Sequence, residues 1–136
     1  MSSTTSNVKI RILVVDDEPD ILLGLNALLT GRGHHVKTFD KPGQALEHLM
    51  KGDASYDLLI TDYRMPGGIS GLDLAKRLKK RTTETKVFLM TAFDVSSVPE
   101  FSEAVNSKIV DETIQKPIAN DKLIAVIEKN FLHNNH

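Results

Sequence analysis

Five short strand-like runs alternate with five segments of helical periodicity along this chain, and no other feature constrains its fold as strongly. The first, third and fourth runs are rich in Val, Ile, Leu and Phe, as expected of strands buried on both faces, whereas the second and fifth are short and more polar. Regular β-α alternation predicts a parallel sheet with helices packed on both sides. We therefore predict a doubly wound α/β domain with five parallel strands and five helices. The predicted strands are Lys9–Val15, His35–Phe39, Asp57–Thr61, Lys86–Thr91 and a short one within Asp111–Pro117.

Prolines and apolar periodicity mark the predicted helices. Pro19, Pro42 and Pro99 stand where first helical turns would begin, a favoured place because proline has no N–H that needs a partner. Apolar residues at helical spacing indicate the third helix from Leu72 to Leu78 and the last from Leu123 to Phe131.

The length of 136 residues suits one domain with a single core. We predict a disordered arm at 1–8, the folded domain at 9–132 and a short tail at 133–136. The net charge of -1 gives no reason to expect a nucleic acid or a membrane surface as partner. Cysteine is absent and no apolar run approaches a membrane span of about 20 residues, which favours a cytoplasmic protein.

Polar residues with useful chemistry follow four of the five predicted strands. In open parallel sheets, ligands bind beyond the carboxyl ends of the strands. If the first, third, fourth and fifth strands are neighbours, their terminal residues meet in one pocket. These residues are Asp16, Asp17 and Glu18 after the first strand, Asp62 after the third, Thr91 ending the fourth and Lys116 after the fifth.

Several carboxylates in one pocket repel each other, and a divalent cation would relieve that repulsion. Carboxylate oxygens without a thiolate favour a hard ion, Mg²⁺ or Mn²⁺. With the ammonium of Lys116 and the hydroxyl of Thr91, the set suits the transfer of a phosphoryl group to a carboxylate. Taken singly, Asp17 could cap a helix, Asp62 could be a turn residue and Lys116 a solvated lysine.

Taken together, these residues resemble the receiver domain of two-component response regulators, of the kind found in chemotaxis regulators. The resemblance covers about Lys9 to Phe131 and implies a flavodoxin-like sheet with strand order 2-1-3-4-5. It is carried by Asp16-Asp17, Asp62 with Met65-Pro66 three and four residues later, Thr91-Ala92 and Lys116-Pro117, in this order.

The resemblance implies a role for each matched residue. Asp62 would be the phosphoacceptor, forming 4-aspartylphosphate with a phosphoryl group from a histidine kinase or a phosphotransfer protein. Thr91 and Lys116 would bind the phosphoryl oxygens, and the peptide before Pro117 would be cis. Mg²⁺ or Mn²⁺ would be held by Asp16, Asp17, Asp62 and the backbone carbonyl of Arg64.

By the same resemblance, phosphorylation would change the surface formed by the fourth helix, the fifth strand and the fifth helix. A downstream protein, an output domain outside this chain or a second copy in a phosphorylation-dependent homodimer would bind that surface. The domain would not be an enzyme beyond self-phosphotransfer and slow autodephosphorylation.

The sequence departs from the family pattern at three places. Thr113 stands where receiver domains usually carry Tyr or Phe, although Ala92 is small as expected, so we hypothesise coupling through residues 93–98. Arg64 and Phe93 would flank the phosphoryl group and screen it from water, which predicts slow hydrolysis. The loop at 65–73 has one residue more than is usual.

Two other functions are possible for such a sequence, and its basic segment raises the question of nucleic-acid binding. Thr113 leaves open a pseudo-receiver, an interaction module that takes no phosphoryl group. We reject an aspartate-nucleophile phosphatase of the dehalogenase-like class, because that class needs a second aspartate where Arg64 stands. The basic face at 76–81 is best interpreted as a solvated helix face, so direct nucleic-acid binding is not expected.

Overall fold

A computed structural model of the chain describes residues 8–52, 55–65, 68–92, 94 and 98–132. Within these ranges, five strands alternate with five helices, which confirms the predicted order. The strands are β1 (Arg11–Val15), β2 (His35–Phe39), β3 (Leu58–Asp62), β4 (Lys86–Thr91) and β5 (Glu112–Gln115). The helices are α1 (Pro19–Gly31), α2 (Pro42–Met50), α3 (Gly71–Arg81), α4 (Pro99–Asn106) and α5 (Asn120–Phe131).

The strands form one parallel sheet in the order β2-β1-β3-β4-β5, as the sequence predicted. β3 lies in the middle, and all five of its residues are buried. Because the strands are parallel, the carboxyl ends of β1, β3, β4 and β5 lie side by side along one edge. That edge is where the candidate site is expected.

Two apolar clusters cover the two faces of the sheet, because neighbouring side chains of a strand point to opposite faces. Leu59 of β3 packs with α2, α3 and α4, whereas Leu58 and Ile60 pack with α1 and α5. This division places α4 on the same face as α3.

Two strand boundaries differ from the prediction. β1 begins at Arg11 rather than Lys9, and β3 runs from Leu58 to Asp62 rather than from Asp57 to Thr61. Asp57 lies outside β3, where its carboxylate accepts a hydrogen bond of 2.8 Å from the N–H of Arg11. Asp62 belongs to β3 because it is paired with Met90 of β4.

Pro19, Pro42 and Pro99 each lie in the first turn of a helix, as predicted. The predicted arm at 1–8, apart from Val8, and the predicted tail at 133–136 lie outside the described residues. None of the described helices combines the length and the apolar character needed to cross a membrane.

Buried His34 makes the stability of the fold sensitive to acid. Its Nδ1 accepts a hydrogen bond of 3.1 Å from the N–H of Ile10, next to β1, so that nitrogen must carry no proton. Burial, then the charge of Arg32, lowers the pKa of His34 below its ordinary value of 6.5. The lowered pKa means that the folded state binds this proton less readily than the unfolded state does.

We therefore predict that the contribution of His34 to stability is fully present above pH 6.5 and is lost as the pH falls through the lowered pKa. The measurement is urea unfolding from neutral pH down to about pH 5, comparing the wild type with His34→Asn. Asparagine retains an acceptor near the position of Nδ1 but does not titrate. The variant should lose less stability than the wild type over this range, and equal losses would contradict the prediction.

Candidate functional site

Asp62 is the last residue of β3 and is only 8% exposed. The strand ends at this residue, and both the N–H and the carbonyl of the next residue, Tyr63, make backbone hydrogen bonds. The N–H of Tyr63 donates to the carbonyl of Met90 at 2.7 Å, and its carbonyl accepts from the N–H of Gly71 at 2.8 Å. The carboxylate of Asp62 therefore lies at the carboxyl end of the central strand, on a backbone fixed by hydrogen bonds to β4 and to the start of α3.

Gly71 brings the start of α3 into contact with the end of β3. A Cβ atom at this position would lie 2.0 Å from the carbonyl oxygen of Asp62 and 3.0 Å from Oγ1 of Thr61. Only glycine fits this approach. Sequence reasoning missed the role of Gly71, although a glycine at the head of a predicted helix was the available signal.

A capping box fixes where α3 begins. Oγ of Ser70 accepts from the N–H of Asp73 at 3.0 Å, and a carboxylate oxygen of Asp73 accepts from the N–H of Ser70 at 3.2 Å. The pattern Ser-x-x-Asp is visible in the sequence and could have predicted this start.

Three carboxylates converge at the sheet edge, as predicted. Asp16, Asp17 and Asp62 each place one carboxylate oxygen within 4.8 Å of the other two. Asp16 is completely buried, and its Oδ1 accepts a hydrogen bond of 2.9 Å from the N–H of Glu18. Its Oδ2 makes no hydrogen bond of good geometry among the described residues, although the ammonium of Lys116 lies 2.9 Å away as an ion-pair partner. A buried anionic oxygen in that position is suited to bind a cation.

Lys116 lies against this acidic cluster. Its Nζ is 2.9 Å from Oδ2 of Asp16, 3.3 Å from Oδ1 of Asp62 and 3.4 Å from Oε2 of Glu18. The N–H of Lys116 donates to the carbonyl of Thr91 at 2.7 Å, which joins the end of β5 to the end of β4. The Lys116–Pro117 peptide is cis, as the resemblance implied.

The charges of the cluster are not balanced. Burial, then the charge of Asp16, raises the pKa of Asp62, although Lys116 acts in the opposite direction. Burial alone would lower the pKa of Lys116, but its contacts with Asp16 and Asp62 outweigh burial, and the net pKa is raised. One ammonium thus lies among the carboxylates of Asp16, Asp17, Glu18 and Asp62, and Asp62 binds a proton more readily than an ordinary aspartate does.

The residues present fit a hard divalent cation. Three carboxylate oxygens at this spacing form the kind of oxygen-rich site that Mg²⁺ prefers, and further ligand positions can be filled by water. The carbonyl of Arg64 stays a predicted ligand. The guanidinium of Arg64 lies over the ring of Tyr63, 5.9 Å from its centroid.

The remaining predicted residues lie at or near the same edge. Thr91 ends β4 and is only 2% exposed, and Ala92 after it is exposed. Thr113 is half-buried in β5 and is paired with Leu89. Phe93 lies outside the described residues, as does most of the 93–98 loop to which we assigned the coupling.

The fold and the site define a doubly wound α/β domain with an acidic cluster, suited to a divalent cation, at the carboxyl ends of its strands. A family model described as the response regulator receiver domain matches residues 12–128. The chain therefore belongs to the receiver domain family of response regulators, which confirms the resemblance stated from the sequence.

Known proteins similar to this chain are response regulators. The response regulator protein TrrA from Thermotoga maritima, solved in complex with Mg²⁺-BeF, is 35% identical, with a TM-score of 0.72, and the match covers 88% of this chain and 96% of TrrA. The transcriptional regulatory protein DltR of Streptococcus agalactiae is 33% identical over 86% of this chain and 50% of DltR.

The DNA-binding transcriptional regulator NtrC of Escherichia coli is 33% identical over 90% of this chain and 25% of NtrC. The chain thus spans a half and a quarter of the lengths of DltR and NtrC. The match therefore concerns only one part of DltR and of NtrC, and not the activity of either whole protein.

Proposed function

We propose that Asp62 accepts a phosphoryl group from the phosphohistidine of a histidine kinase or a phosphotransfer protein. One observation carries the proposal: the carboxylate of Asp62 lies beside two other carboxylates and 3.3 Å from the ammonium of Lys116, at the carboxyl edge of the sheet. This arrangement offers a nucleophile with fixed countercharge around it, as phosphoryl transfer requires.

In the proposed reaction, a carboxylate oxygen of Asp62 forms a bond to phosphorus while the bond from phosphorus to the histidine nitrogen breaks. The histidine nitrogen keeps the electron pair of that bond, takes up one proton from solvent and leaves as the neutral imidazole. Lys116, which already touches Oδ1 of Asp62, would pair with one phosphoryl oxygen. The hydroxyl of Thr91, at the end of the neighbouring strand, would donate to another.

Asp16, Asp17 and Asp62 would hold Mg²⁺, or Mn²⁺ in its place, with the carbonyl of Arg64 as a further ligand. The metal, when bound, supplies positive charge to the phosphoryl oxygens. The buried Oδ2 of Asp16 supports this assignment, and so does the similarity to TrrA, which was solved with Mg²⁺-BeF.

A phosphoryl group carries roughly two negative charges and three acceptor oxygens, which is enough to shift a domain between two arrangements. We propose that the surface of α4, β5 and α5 differs between these arrangements. A downstream protein, an output domain outside this chain or a second copy would bind that surface.

The domain limits 9–132, a cytoplasmic location and slow hydrolysis of the phosphoryl group due to Arg64 and Phe93 stay predictions.

Incubation with acetyl phosphate and Mg²⁺ tests the assignment, with the adduct measured by intact mass. We expect the wild type to gain one phosphoryl group, and Asp62→Asn to gain none because an amide oxygen is a poor nucleophile. Asp121→Asn, which changes an exposed carboxylate on α5, is the matched control and should be labelled like the wild type. Chelation of Mg²⁺ should prevent labelling. An unlabelled wild type, beside a labelled control receiver, would favour the pseudo-receiver.

A further inference from the structure

Tyr63 follows the proposed phosphoacceptor directly, and hydrogen bonds fix its backbone to β4 and to α3. Its N–H is bonded to Met90 of β4 and its carbonyl to Gly71 of α3. Gly71 in turn leaves no free space beside the carbonyl of Asp62. A displacement of the backbone at Asp62 is therefore expected to displace Tyr63 as well.

The side chain of Tyr63 reaches α4. Its hydroxyl donates a hydrogen bond of 2.8 Å to Oε2 of Glu100, and its ring packs edge-on against Phe101 with 4.6 Å between centroids. Both partners lie in the first turn of α4, and Phe101 is only 1% exposed. Burial and then the bond to Glu100 raise the pKa of the Tyr63 phenol, so it remains a donor at neutral pH.

The contact between Tyr63 and Phe101 lies on the same face of the sheet as Thr113, the position where receiver domains usually carry an aromatic residue. Thr113 is paired with Leu89, and Leu89 belongs to the same buried cluster as Phe101 of α4. Threonine provides no ring there, whereas Tyr63 brings one to the same cluster from the end of β3.

We infer that Tyr63 couples Asp62 to α4: its hydroxyl holds the first turn of α4 through Glu100, and phosphorylation of Asp62 releases that hold. The inference rests on the proposed phosphorylation of Asp62 and gives it a route to the output surface that does not need an aromatic residue at Thr113. The bond is exposed to solvent, so its loss should shift a two-state equilibrium on the order of threefold, enough to change the relative populations of two arrangements of α4.

Tyr63→Phe tests the coupling because it removes the hydroxyl and keeps the ring on Phe101. Hydrogen exchange of the backbone amides in α4 is the measurement. Without a phosphodonor, α4 should exchange at least about threefold faster in Tyr63→Phe than in the wild type. Glu100→Ala should reproduce this increase, and the double variant should add nothing further. Tyr56→Phe is the control, since that hydroxyl bonds to His48 of α2 instead.

The same proteins are then treated with acetyl phosphate and Mg²⁺, with the adduct on Asp62 followed by mass. Phosphorylation should raise the exchange of α4 in the wild type toward the rate in Tyr63→Phe. The phosphorylated Tyr63→Phe should show no further change in α4.

Two results would overturn the coupling alone. One is an α4 that exchanges equally in Tyr63→Phe and wild type without phosphodonor. The other is a phosphorylated Tyr63→Phe whose α4 responds as fully as that of the phosphorylated wild type. A wild type that takes no phosphoryl group would overturn the proposed function together with the coupling, and the mass measurement separates that case from the other two.

Discussion

Replacing Gly71 by alanine is expected to destabilise the domain by about 3 kcal/mol and to abolish phosphoryl labelling of Asp62. The new Cβ atom would lie 2.0 Å from the carbonyl oxygen of Asp62 and 3.0 Å from Oγ1 of Thr61. A backbone carbonyl cannot rotate away as a flexible side chain can. Either the start of α3 or the peptide of Asp62 must move, and each displacement should disturb the acidic cluster.

Urea unfolding measures the stability, and intact mass after acetyl phosphate treatment measures the labelling. Gly24→Ala is the matched control, because an added Cβ at this position of α1 meets nothing within 4 Å. This control should be as stable as the wild type, or more stable by about 0.5–1 kcal/mol, since alanine suits a helix interior better than glycine. A Gly71→Ala variant that unfolds like Gly24→Ala and is labelled normally would show that α3 does not constrain the backbone at Asp62.

The strand and helix order was predictable because it depends on local apolar patterns. β2 and β4 begin and end where the sequence predicted, at His35–Phe39 and Lys86–Thr91. The ends of β1 and β3 were not predictable in this way, because pairing between strands decides them. Asp62 is a strand residue since Met90 lies beside it, a relation that no local pattern contains.

The acidic cluster was predictable for a different reason. Parallel strands bring their carboxyl ends to one edge, so residues far apart in sequence meet once the topology is known. The contacts of Gly71 and Tyr63 were missed because they depend on how closely two helices approach the sheet. The bond from Tyr63 to Glu100 spans 37 positions and joins residues that neither motif nor periodicity marks.

Loss of the Lys116 ammonium should weaken the metal-free protein. This ammonium touches Asp16, Glu18 and Asp62, and Asp16 is completely buried. Lys116→Met keeps most of the apolar stem and removes the charge. Removing one partner of a buried ion pair leaves the other charge without compensation, so we expect a loss of about 3 kcal/mol in the free energy of unfolding.

The pH dependence of this loss has a defined sign. The pKa of Asp62 is already raised by burial and Asp16, and Lys116 opposes that rise. Without Lys116 the folded state therefore binds a proton more readily, and the protonated form is the stable one. The deficit of Lys116→Met should be small in acid, where the carboxylates are protonated, and should grow as the pH rises toward neutral.

Urea unfolding of the wild type, Lys116→Met and Lys129→Met tests both expectations, each in chelator and in excess Mg²⁺. Lys129 pairs with Glu112 at 3.0 Å on the surface, so its replacement should change the stability by less than about 1 kcal/mol. Mg²⁺ should stabilise Lys116→Met more than the wild type, because the cation then meets the carboxylates without a competing ammonium. Equal stability of the two lysine variants in chelator at neutral pH would show that the carboxylates of Asp16 and Asp62 do not depend on Lys116.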